Sequence, residues 1–176
     1  MKAAVFELAR PETLDDALAL LADADGDARV LAGGQSLVPM LHMRLVQPSL
    51  VIDLERVTGL SGVSVDDDVI HIGAMTRYTD LERNADIASH VPLISTAVHC
   101  VGDRQVRNRG TIGGSLAQAD PVGEMPLTCL ALGVDVVARS ATGTRTIPID
   151  DFLVGAYTTD LDDDELIEAV RIPDRK

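Results

Sequence analysis

The stretch Val106-Arg107-Asn108-Arg109-Gly110-Thr111-Ile112-Gly113-Gly114-Ser115 places three glycines within five positions, 110 to 114. Glycine has no Cβ, so the backbone beside it can approach a ligand closely and can adopt positive φ. Consecutive N–H groups in such a turn can converge on an anion. A second stretch of the same character, Ala32-Gly33-Gly34-Gln35-Ser36-Leu37, follows an apolar run upstream. One glycine pair is typical of an ordinary tight loop, but two with adjacent hydroxyls predict a pyrophosphate held from both sides.

The bulk composition limits both the fold and the partners. With 176 residues, the chain is long enough for one domain or for two small lobes that share a ligand cleft. Apolar residues make up 46% and aromatic residues only 2%, so we expect a core of valine, leucine, isoleucine and alanine. The formal net charge of −13 argues against a nucleic-acid or anionic-membrane partner, because phosphate backbones need a basic face.

The sequence predicts a cytoplasmic protein. Cys100 and Cys129 are too few for a disulfide framework and lack metal-ligand spacing, so each is expected to be a small buried hydrophobic residue. Glu7 interrupts the N-terminal residues before the apolar core of a signal peptide could form. The chain has no uncharged window of the length that a membrane span requires.

Residues 1–57 are predicted to form a small parallel α/β lobe. The first glycine turn ends a strand and opens a helix, which is where open α/β sheets bind ligands. Asp53 mimics the acidic residue of a dinucleotide fold, but the turn lacks the GxGxxG pattern, so we interpret Asp53 as a turn residue at a strand end. The expected elements are a strand at 5–10, a helix capped by Thr13, a strand at 29–32, a short helix capped by Ser36, and a strand at 50–54.

Residues 58–176 are predicted to form a larger α+β lobe with mainly antiparallel pairing. The expected strands form a hairpin at 62–73 around Asp66-Asp67-Asp68, a hairpin at 134–148 around Gly143, and a last strand at 166–173. The expected helices are a short one opened by the capping box Thr79-Asp80-Leu81-Glu82, one at 92–101, and a buried one at 125–132. The predicted fold class is therefore α+β with two lobes.

These motifs, in this order, resemble one protein family. The chain is similar to the flavin-binding medium subunit of molybdenum hydroxylases, such as carbon monoxide dehydrogenase, and to the flavin domain of xanthine dehydrogenase, with the PCMH-type FAD-binding fold. The resemblance covers nearly the whole chain. It is carried by the motifs AGGQSL at 32–37, IGAMT at 72–76, RNRGTIGGSLA at 107–117, ADP at 119–121 and LIEAVRIP at 166–173.

The resemblance implies FAD bound between the two lobes, with its pyrophosphate on the two glycine turns. Asp120, in the Ala-Asp-Pro motif, is expected to accept hydrogen bonds from hydroxyls or waters beside the cofactor, and Glu124 is a second such acceptor by its position in the loop. Tyr78 and Tyr157 are the only tyrosines, and either could contact flavin. The residues assigned to cofactor binding are Ala32, Gly33, Gly34, Gln35, Ser36, Leu37, Thr111, Ile112, Gly113, Gly114, Ser115, Asp120, Glu124 and Ile167.

The resemblance also implies an activity and partners. In the family, FAD accepts electrons from iron–sulfur clusters in a small subunit, which are reduced by a molybdenum cofactor in a large subunit where the substrate is hydroxylated. The flavin then passes electrons to NAD, a quinone or oxygen. We therefore expect an oxidoreductase subunit in a hetero-oligomer, with no catalytic or metal-ligating residues of its own, because the cofactor carries the redox step. A free-standing small FAD-dependent oxidoreductase and a non-catalytic nucleotide-binding scaffold stay open as alternatives.

Family members of this kind usually continue as a separate C-terminal domain that covers part of the flavin. That domain is absent from this sequence, which ends at Lys176 just after the motif at 166–173. We expect a fragment, a cover supplied by another chain, or a protein with a reduced function.

Two charged clusters carry their own alternatives. Arg104, Arg107 and Arg109 either steer an anionic cofactor or an acidic partner, or form a solvated face. The acidic run at 160–165 is interpreted as a solvated turn before the last strand, with a hydrated divalent cation as the alternative. Cys100 precedes the arginine cluster, where it either packs or approaches the isoalloxazine ring.

Overall fold

The computed structural model of the protein describes residues 2–67 and 69–173. Its N-terminal elements are β1 (Glu7–Ala9), α1 (Leu14–Asp23), β2 (Ala28–Leu31), α2 (Leu37–Met43), β3 (Leu50–Asp53) and a 3₁₀ turn (Leu54–Arg56). The strands form a three-stranded parallel sheet in the order β1-β3-β2. Parallel neighbours need crossover connections, and the helices α1 and α2 lie in those connections.

Helix α1 forms where the sequence predicts it. The Asp16 N–H donates to Thr13 Oγ1 at 3.1 Å, so the cap satisfies one of the free donors of the first turn. Leu18 and Leu21 recur at helical spacing and pack with Ile52 of β3 in one apolar cluster. This cluster is the core of the N-terminal part.

Ser36 differs from its prediction as a helix cap. It occupies the N-cap position of α2, but its side chain makes no capping bond. Its φ and ψ of −104° and −52° are helical, whereas a capping side chain needs extended backbone to reach the first amides. The capping prediction is therefore wrong, and the hydroxyl has no hydrogen-bond partner among the described residues.

The C-terminal part alternates strands with a central run of short helices. Its elements are β4 (Val63–Asp66), β5 (Val69–Gly73), α3 (Tyr78–Arg83), α4 (Ala85–His90), α5 (Pro92–Cys100), α6 (Arg104–Arg109), α7 (Ile112–Gln118), α8 (Glu124–Leu132), β6 (Asp135–Ser140), β7 (Gly143–Pro148), α9 (Ile149–Phe152), β8 (Leu153–Gly155), β9 (Thr158–Thr159) and β10 (Leu166–Pro173). Both predicted hairpins and the last strand are present, although Asp68 of the first predicted turn lies outside the described residues.

Strand β10 lies at the centre of a five-stranded antiparallel sheet in the order β4-β5-β10-β6-β7. Val170 pairs with Ile72 on one side and with Val136 on the other. These side chains join Ile94 of α5 and Phe152 of α9 in the main core, so the helices cover one face of the sheet. The parallel and antiparallel sheets together confirm the predicted α+β fold class.

Helix α3 begins before the predicted capping box. Its N-cap is Arg77, and Thr79 lies inside the helix. Arg77 forms an antiparallel bridge with Thr111, and the Tyr78 N–H donates to the Gly110 carbonyl at 3.0 Å. Contact with the glycine stretch therefore fixes the start of α3 in place of a side-chain cap, and the capping-box prediction is wrong.

Helix α8 is buried on one face rather than all round. Met125 and Cys129 are fully buried, whereas Leu127 is 68% exposed and Leu130 is 38% exposed. The prediction of a buried helix is therefore correct for the face that packs on the core and wrong for the opposite face.

The division at residue 57 stays a proposal. Leu60 and Leu166 pack into the cluster of Leu18 and Ile52, so apolar contacts cross that division.

Within the described residues, the structure contains no helix that is both long and apolar enough to cross a bilayer.

Candidate functional site

Both glycine turns line a cleft of about 630 Å³. Every residue assigned to cofactor binding from the sequence lies on its wall except Ile112. The Ile112 side chain is fully buried in the main core, and its N–H donates to the Thr76 carbonyl at 3.2 Å. The chain thus brings together residues from positions 32–37, 111–124 and 167, which are far apart in sequence.

The first glycine turn presents a row of free backbone donors. The N–H groups of Gly33, Gly34, Gln35 and Ser36 donate to no acceptor within residues 2–67 and 69–173. Gly34 has φ of +75°, the left-handed region that glycine adopts without steric cost. Consecutive amides that are free and share one turn form a concave anion site. This turn therefore has the donors that a phosphate group needs.

The backbone N–H groups of the second glycine turn donate hydrogen bonds within the protein. It begins helix α7, and its donors fix that helix to the neighbouring strand and to its own cap. The polar side chains of this turn that line the cleft are the hydroxyls of Thr111 and Ser115. The internal bonds run from Ile112 to the Thr76 carbonyl (3.2 Å), Gly113 to the Ala74 carbonyl (2.9 Å), Gly114 to Thr111 Oγ1 (3.2 Å) and Ser115 to the Thr111 carbonyl (3.1 Å).

The glycines also let the two turns touch. A Cβ on Gly33 would lie 2.1 Å from the Arg109 carbonyl oxygen and 2.8 Å from Gly110 Cα. A Cβ on Gly114 would lie 3.2 Å from the Ala32 Cβ. No side chain fits between backbone segments at the first of these distances, so the absence of a side chain at Gly33 is what allows the cleft to close at this end.

Tyr78 forms a buried part of the cleft wall. The residue is 3% exposed, and a Cβ on Gly110 would lie 2.9 Å from its ring. Burial raises the pKa of the Tyr78 phenol, and a hydrogen bond with Ser115 opposes that rise only in part. The phenol is therefore neutral at physiological pH and can donate a hydrogen bond.

Another part of the cleft lining carries carboxylates. Asp120 Oδ1 accepts the Val122 N–H at 3.0 Å and faces the Tyr157 hydroxyl at 3.4 Å, and Glu124 opens α8 beside it. Carboxylates repel phosphate and accept from hydroxyls, so this wall suits a sugar or polyol portion of a ligand. Both tyrosines line the cleft.

The arginine cluster does not line the cleft. Arg107 Nη1 donates to the carbonyls of Val101 and Gly102 at 3.1 and 3.4 Å, so it fixes the loop before α6. Arg109 Nη1 lies 3.6 Å from Glu55 Oε1. Arg107 and Arg109 therefore contribute to the fold of this chain, and the steering role stays a prediction.

Asp53 caps the 3₁₀ turn, as the sequence interpretation expects. Its Oδ1 accepts the Glu55 N–H at 3.0 Å, and its Oδ2 accepts from Arg10 Nε at 3.2 Å. It does not line the cleft.

The acidic run at 160–165 is not simply a solvated turn. Asp160 and Glu165 both bind Arg145, and Glu165 lines the cleft. Across the described residues, no group of three or more histidines, cysteines or carboxylates is arranged to hold a metal ion. The interpretation as a solvated turn is therefore wrong for Glu165, whereas Asp160 is exposed and pairs with Arg145 at the surface, and the cation alternative gains no support.

The two cysteines differ from each other. Cys100 is exposed on α5, where its Sγ donates to the Thr96 carbonyl at 3.9 Å, and it does not line the cleft. The expectation that it is buried is wrong, because its position in α5 faces outward. Cys129 is buried, as predicted, and burial raises the pKa of its thiol to about 12.

A thiol reagent should therefore modify Cys100 in the native protein and leave Cys129 unreacted. The thiolate is the reactive form, and at pH 8 only about 10⁻⁴ of a thiol with the pKa of Cys129 is ionised. We expect one adduct per native chain by intact mass spectrometry and two after denaturation. Two adducts formed at equal rates on the native chain would contradict the burial of Cys129.

The fold defines the class of protein: an α+β domain whose two glycine turns line one cleft. The chain belongs to the family of FAD binding domains in molybdopterin dehydrogenases, whose family model matches residues 4–175. This match confirms the resemblance seen in the motifs, and it confirms FAD as the cofactor.

Known relatives agree in sequence and in structure. The chain is 43% identical over 173 residues to the 6-hydroxypseudooxynicotine dehydrogenase complex subunit alpha of Paenarthrobacter nicotinovorans, covering 98% of this chain and 58% of that protein. It superposes on carbon monoxide dehydrogenase from Hydrogenophaga pseudoflava with a TM-score of 0.97 at 38% identity, covering 100% of this chain and 61% of that one. It superposes on quinoline 2-oxidoreductase from Pseudomonas putida 86 with a TM-score of 0.96 at 40% identity, covering 99% and 61%. The chain therefore spans about three fifths of the length of these relatives.

Proposed function

We propose that this chain is the FAD-binding electron-transfer part of a molybdenum hydroxylase. The observation that carries the proposal is the row of free amides from Gly33 to Ser36, in the interlobe cleft of an FAD-binding domain. The proposed partners are an iron–sulfur small subunit and a molybdenum-cofactor large subunit. The relatives' names support a complex and a molybdenum cofactor, and the iron–sulfur subunit follows from the family resemblance. The proposed electron acceptor is NAD, a quinone or oxygen, and the proposed location is the cytoplasm.

Different residues of the cleft fit different portions of FAD. The Gly33–Ser36 amides and the free Ser36 hydroxyl would hold the pyrophosphate. The hydroxyls of Thr111 and Ser115 would add donors from the other turn. Asp120 and Glu124 would accept from hydroxyls of the ribityl or ribose portions. The fit is local, because a chain with a net charge of −13 attracts a dianionic group only where backbone donors are concentrated.

When bound, FAD supplies one-electron and two-electron redox chemistry. The protein's own part is to bind and orient it. The contact between Gly33 and Arg109 holds the two turns in register. The neutral Tyr78 phenol keeps a proton donor at the wall, and the apolar side chains of Met75 and Leu161 limit water in the cleft.

The direct test is to purify the chain, record its visible absorption, and identify the cofactor released on denaturation. We expect FAD at one equivalent per chain, and neither NAD nor FMN. Co-expression with the neighbouring reading frames should yield a complex that contains iron–sulfur and molybdenum chains. Stoichiometric NAD without flavin would overturn the cofactor assignment, and FAD without any such complex would favour the free-standing oxidoreductase.

Replacing Gly114 by valine should weaken FAD binding by about tenfold or more, which corresponds to about 1.4 kcal/mol. A Cβ there would lie 2.8 Å from Thr111 Oγ1 and 3.2 Å from the Ala32 Cβ, so the side chain would push the two turns apart. Titration of the apoprotein with FAD measures the change. Gly143→Val is the control, because no atom lies within 4 Å of a Cβ at Gly143. Equal affinities in the two variants would contradict the role of Gly114.

A further inference from the structure

Residues 156–165, here called the strap, follow β8, include the short strand β9 that pairs with β8, and lead to β10 along the cleft. Tyr157, Leu161 and Glu165 of the strap line the cleft. At one end, the Tyr157 N–H donates to the Ala119 carbonyl at 2.8 Å. Tyr157 has φ of +56°, a conformation that a non-glycine residue keeps only where its surroundings hold it. The strap is therefore a fixed wall rather than a free loop at this end.

The strap also reaches the N-terminal part of the chain. Gly26, in the turn before β2, has φ of +83°. A Cβ on Gly26 would lie 3.1 Å from Asp163 Oδ2, so the Asp163 carboxylate packs on that turn. The strap thus touches both parts of the protein on either side of the cleft.

One guanidinium holds the other end of the strap. Arg145, on the edge strand β7, donates from Nε and Nη2 to the two carboxylate oxygens of Glu165, each at 2.7 Å. Its Nη1 donates to Asp160 Oδ2 at 2.8 Å, and its Nη2 also donates to the Asp160 carbonyl oxygen. The segment 160–165 is therefore folded around a single side chain.

The Glu165 carboxylate depends on this partner. Its side chain is only 7% exposed, and besides the two bonds from Arg145 it accepts a third from the Asp162 N–H at 2.9 Å. The hydrogen bonds from Arg145 hold the pKa of Glu165 below its usual value despite burial. Removing one member of such a pair leaves a charge that is shielded from water and uncompensated, which is strongly unfavourable.

We infer that Arg145 is a positioning residue for the cofactor site: it fixes the strap as a wall of the FAD cleft and thereby slows release of FAD. Arg145 itself does not line the cleft, so it acts through Glu165, which does. The inference rests on the proposed function, because the ligand whose release it slows is FAD. Without the guanidinium, segment 160–165 of the strap would move away from the cleft and expose the cofactor.

The experiment compares FAD release from purified Arg145→Met, Arg145→Lys and wild-type holoprotein. Release is followed by flavin fluorescence after dilution, and thermal unfolding by circular dichroism controls for folding. We expect the release rate of Arg145→Met to rise about tenfold or more. Arg145→Lys should lie between the two, because an ammonium cannot bind both carboxylates with fork geometry. Arg139→Met is the matched control, since Arg139 makes a surface ion pair with Glu168 at 3.6 Å on the neighbouring strand.

Hydrogen exchange of the apoprotein gives a readout that does not depend on FAD. Exchange at 156–165 should rise in Arg145→Met and stay unchanged in Arg139→Met. If Arg145→Met does not fold, Asp160→Asn keeps the Glu165 bonds and should still speed FAD release about twofold to threefold. A wild-type chain that binds no FAD would overturn the proposed function and this inference with it. If FAD binds but dissociates from Arg145→Met and Arg139→Met at the same rate, the inference alone is overturned.

Discussion

Replacing Gly33 by alanine should raise the Kd for FAD by about a hundredfold or more, which corresponds to about 2.7 kcal/mol. The new Cβ would lie 2.1 Å from the Arg109 carbonyl oxygen and 2.8 Å from Gly110 Cα. These are backbone atoms, so no rotamer change relieves the contact. The turn must move away from the second one, and its free amides then lose the geometry that a phosphate group requires.

Gly143→Ala is the control for this prediction, because a Cβ there meets no atom within 4 Å. FAD titration of the apoproteins gives the affinities, and circular dichroism shows whether each variant is folded. We expect Gly143→Ala to bind like the wild type. Full FAD occupancy in a folded Gly33→Ala variant would show that the first turn is not the phosphate site.

Local signals predicted the N-terminal part well, because each of its elements depends on neighbours in sequence. Thr13 caps α1 through an amide three residues away. The spacing of Leu18 and Leu21 follows from the helical repeat. The first glycine turn lies between β2 and α2, as the pattern predicts. The fold class and the strand at 166–173 could be predicted from the sequence for the same reason.

The use of the second glycine turn could not be read from the sequence. Its composition matches that of the first turn, so both appeared equally suited to bind phosphate through the backbone. The carbonyls of Ala74 and Thr76 come from a segment about forty residues upstream and take two of its amides. Only the tertiary pairing of Arg77 with Thr111 brings that segment into range.

The acidic run shows a similar limit. A cluster of carboxylates in a loop is usually solvated. Arg145 lies fifteen residues before Asp160 and twenty before Glu165, on strand β7 between two exposed threonines. The folding of segment 160–165 around Arg145 is a tertiary arrangement that no local sequence pattern predicts. A lone arginine opposite a predicted acidic turn was the only available signal.

The two glycine turns have different roles in the cleft. The first supplies amides, because Gly33 to Ser36 make no internal bonds. The second supplies rigidity, because it starts α7 and fixes Tyr78 through the Gly110 carbonyl. A turn that binds a ligand through its backbone must leave its donors free, and the ligand or water then satisfies them.

The isolated chain should not oxidise an organic substrate at a measurable rate, even with FAD bound. Cys100 is exposed and Cys129 is buried, and two thiols cannot ligate a four-thiolate iron–sulfur cluster. Within residues 2–67 and 69–173, no arrangement of histidines, cysteines and carboxylates suits a metal ion either. The cleft offers binding groups for the cofactor, and the substrate chemistry is expected on a partner chain.

The test is an anaerobic assay of flavin reduction with aldehydes, purines and N-heterocycles as electron donors. We expect no bleaching of the flavin absorption with the chain alone, and bleaching once the iron–sulfur and molybdenum chains are added. Dithionite is the positive control, because it should reduce the flavin of the isolated chain directly. Substrate-dependent bleaching by the chain alone would refute the subunit hypothesis and favour the free-standing oxidoreductase. Bleaching that requires the added chains, with the isolated chain competent toward dithionite, is the outcome that an electron-transfer subunit must give.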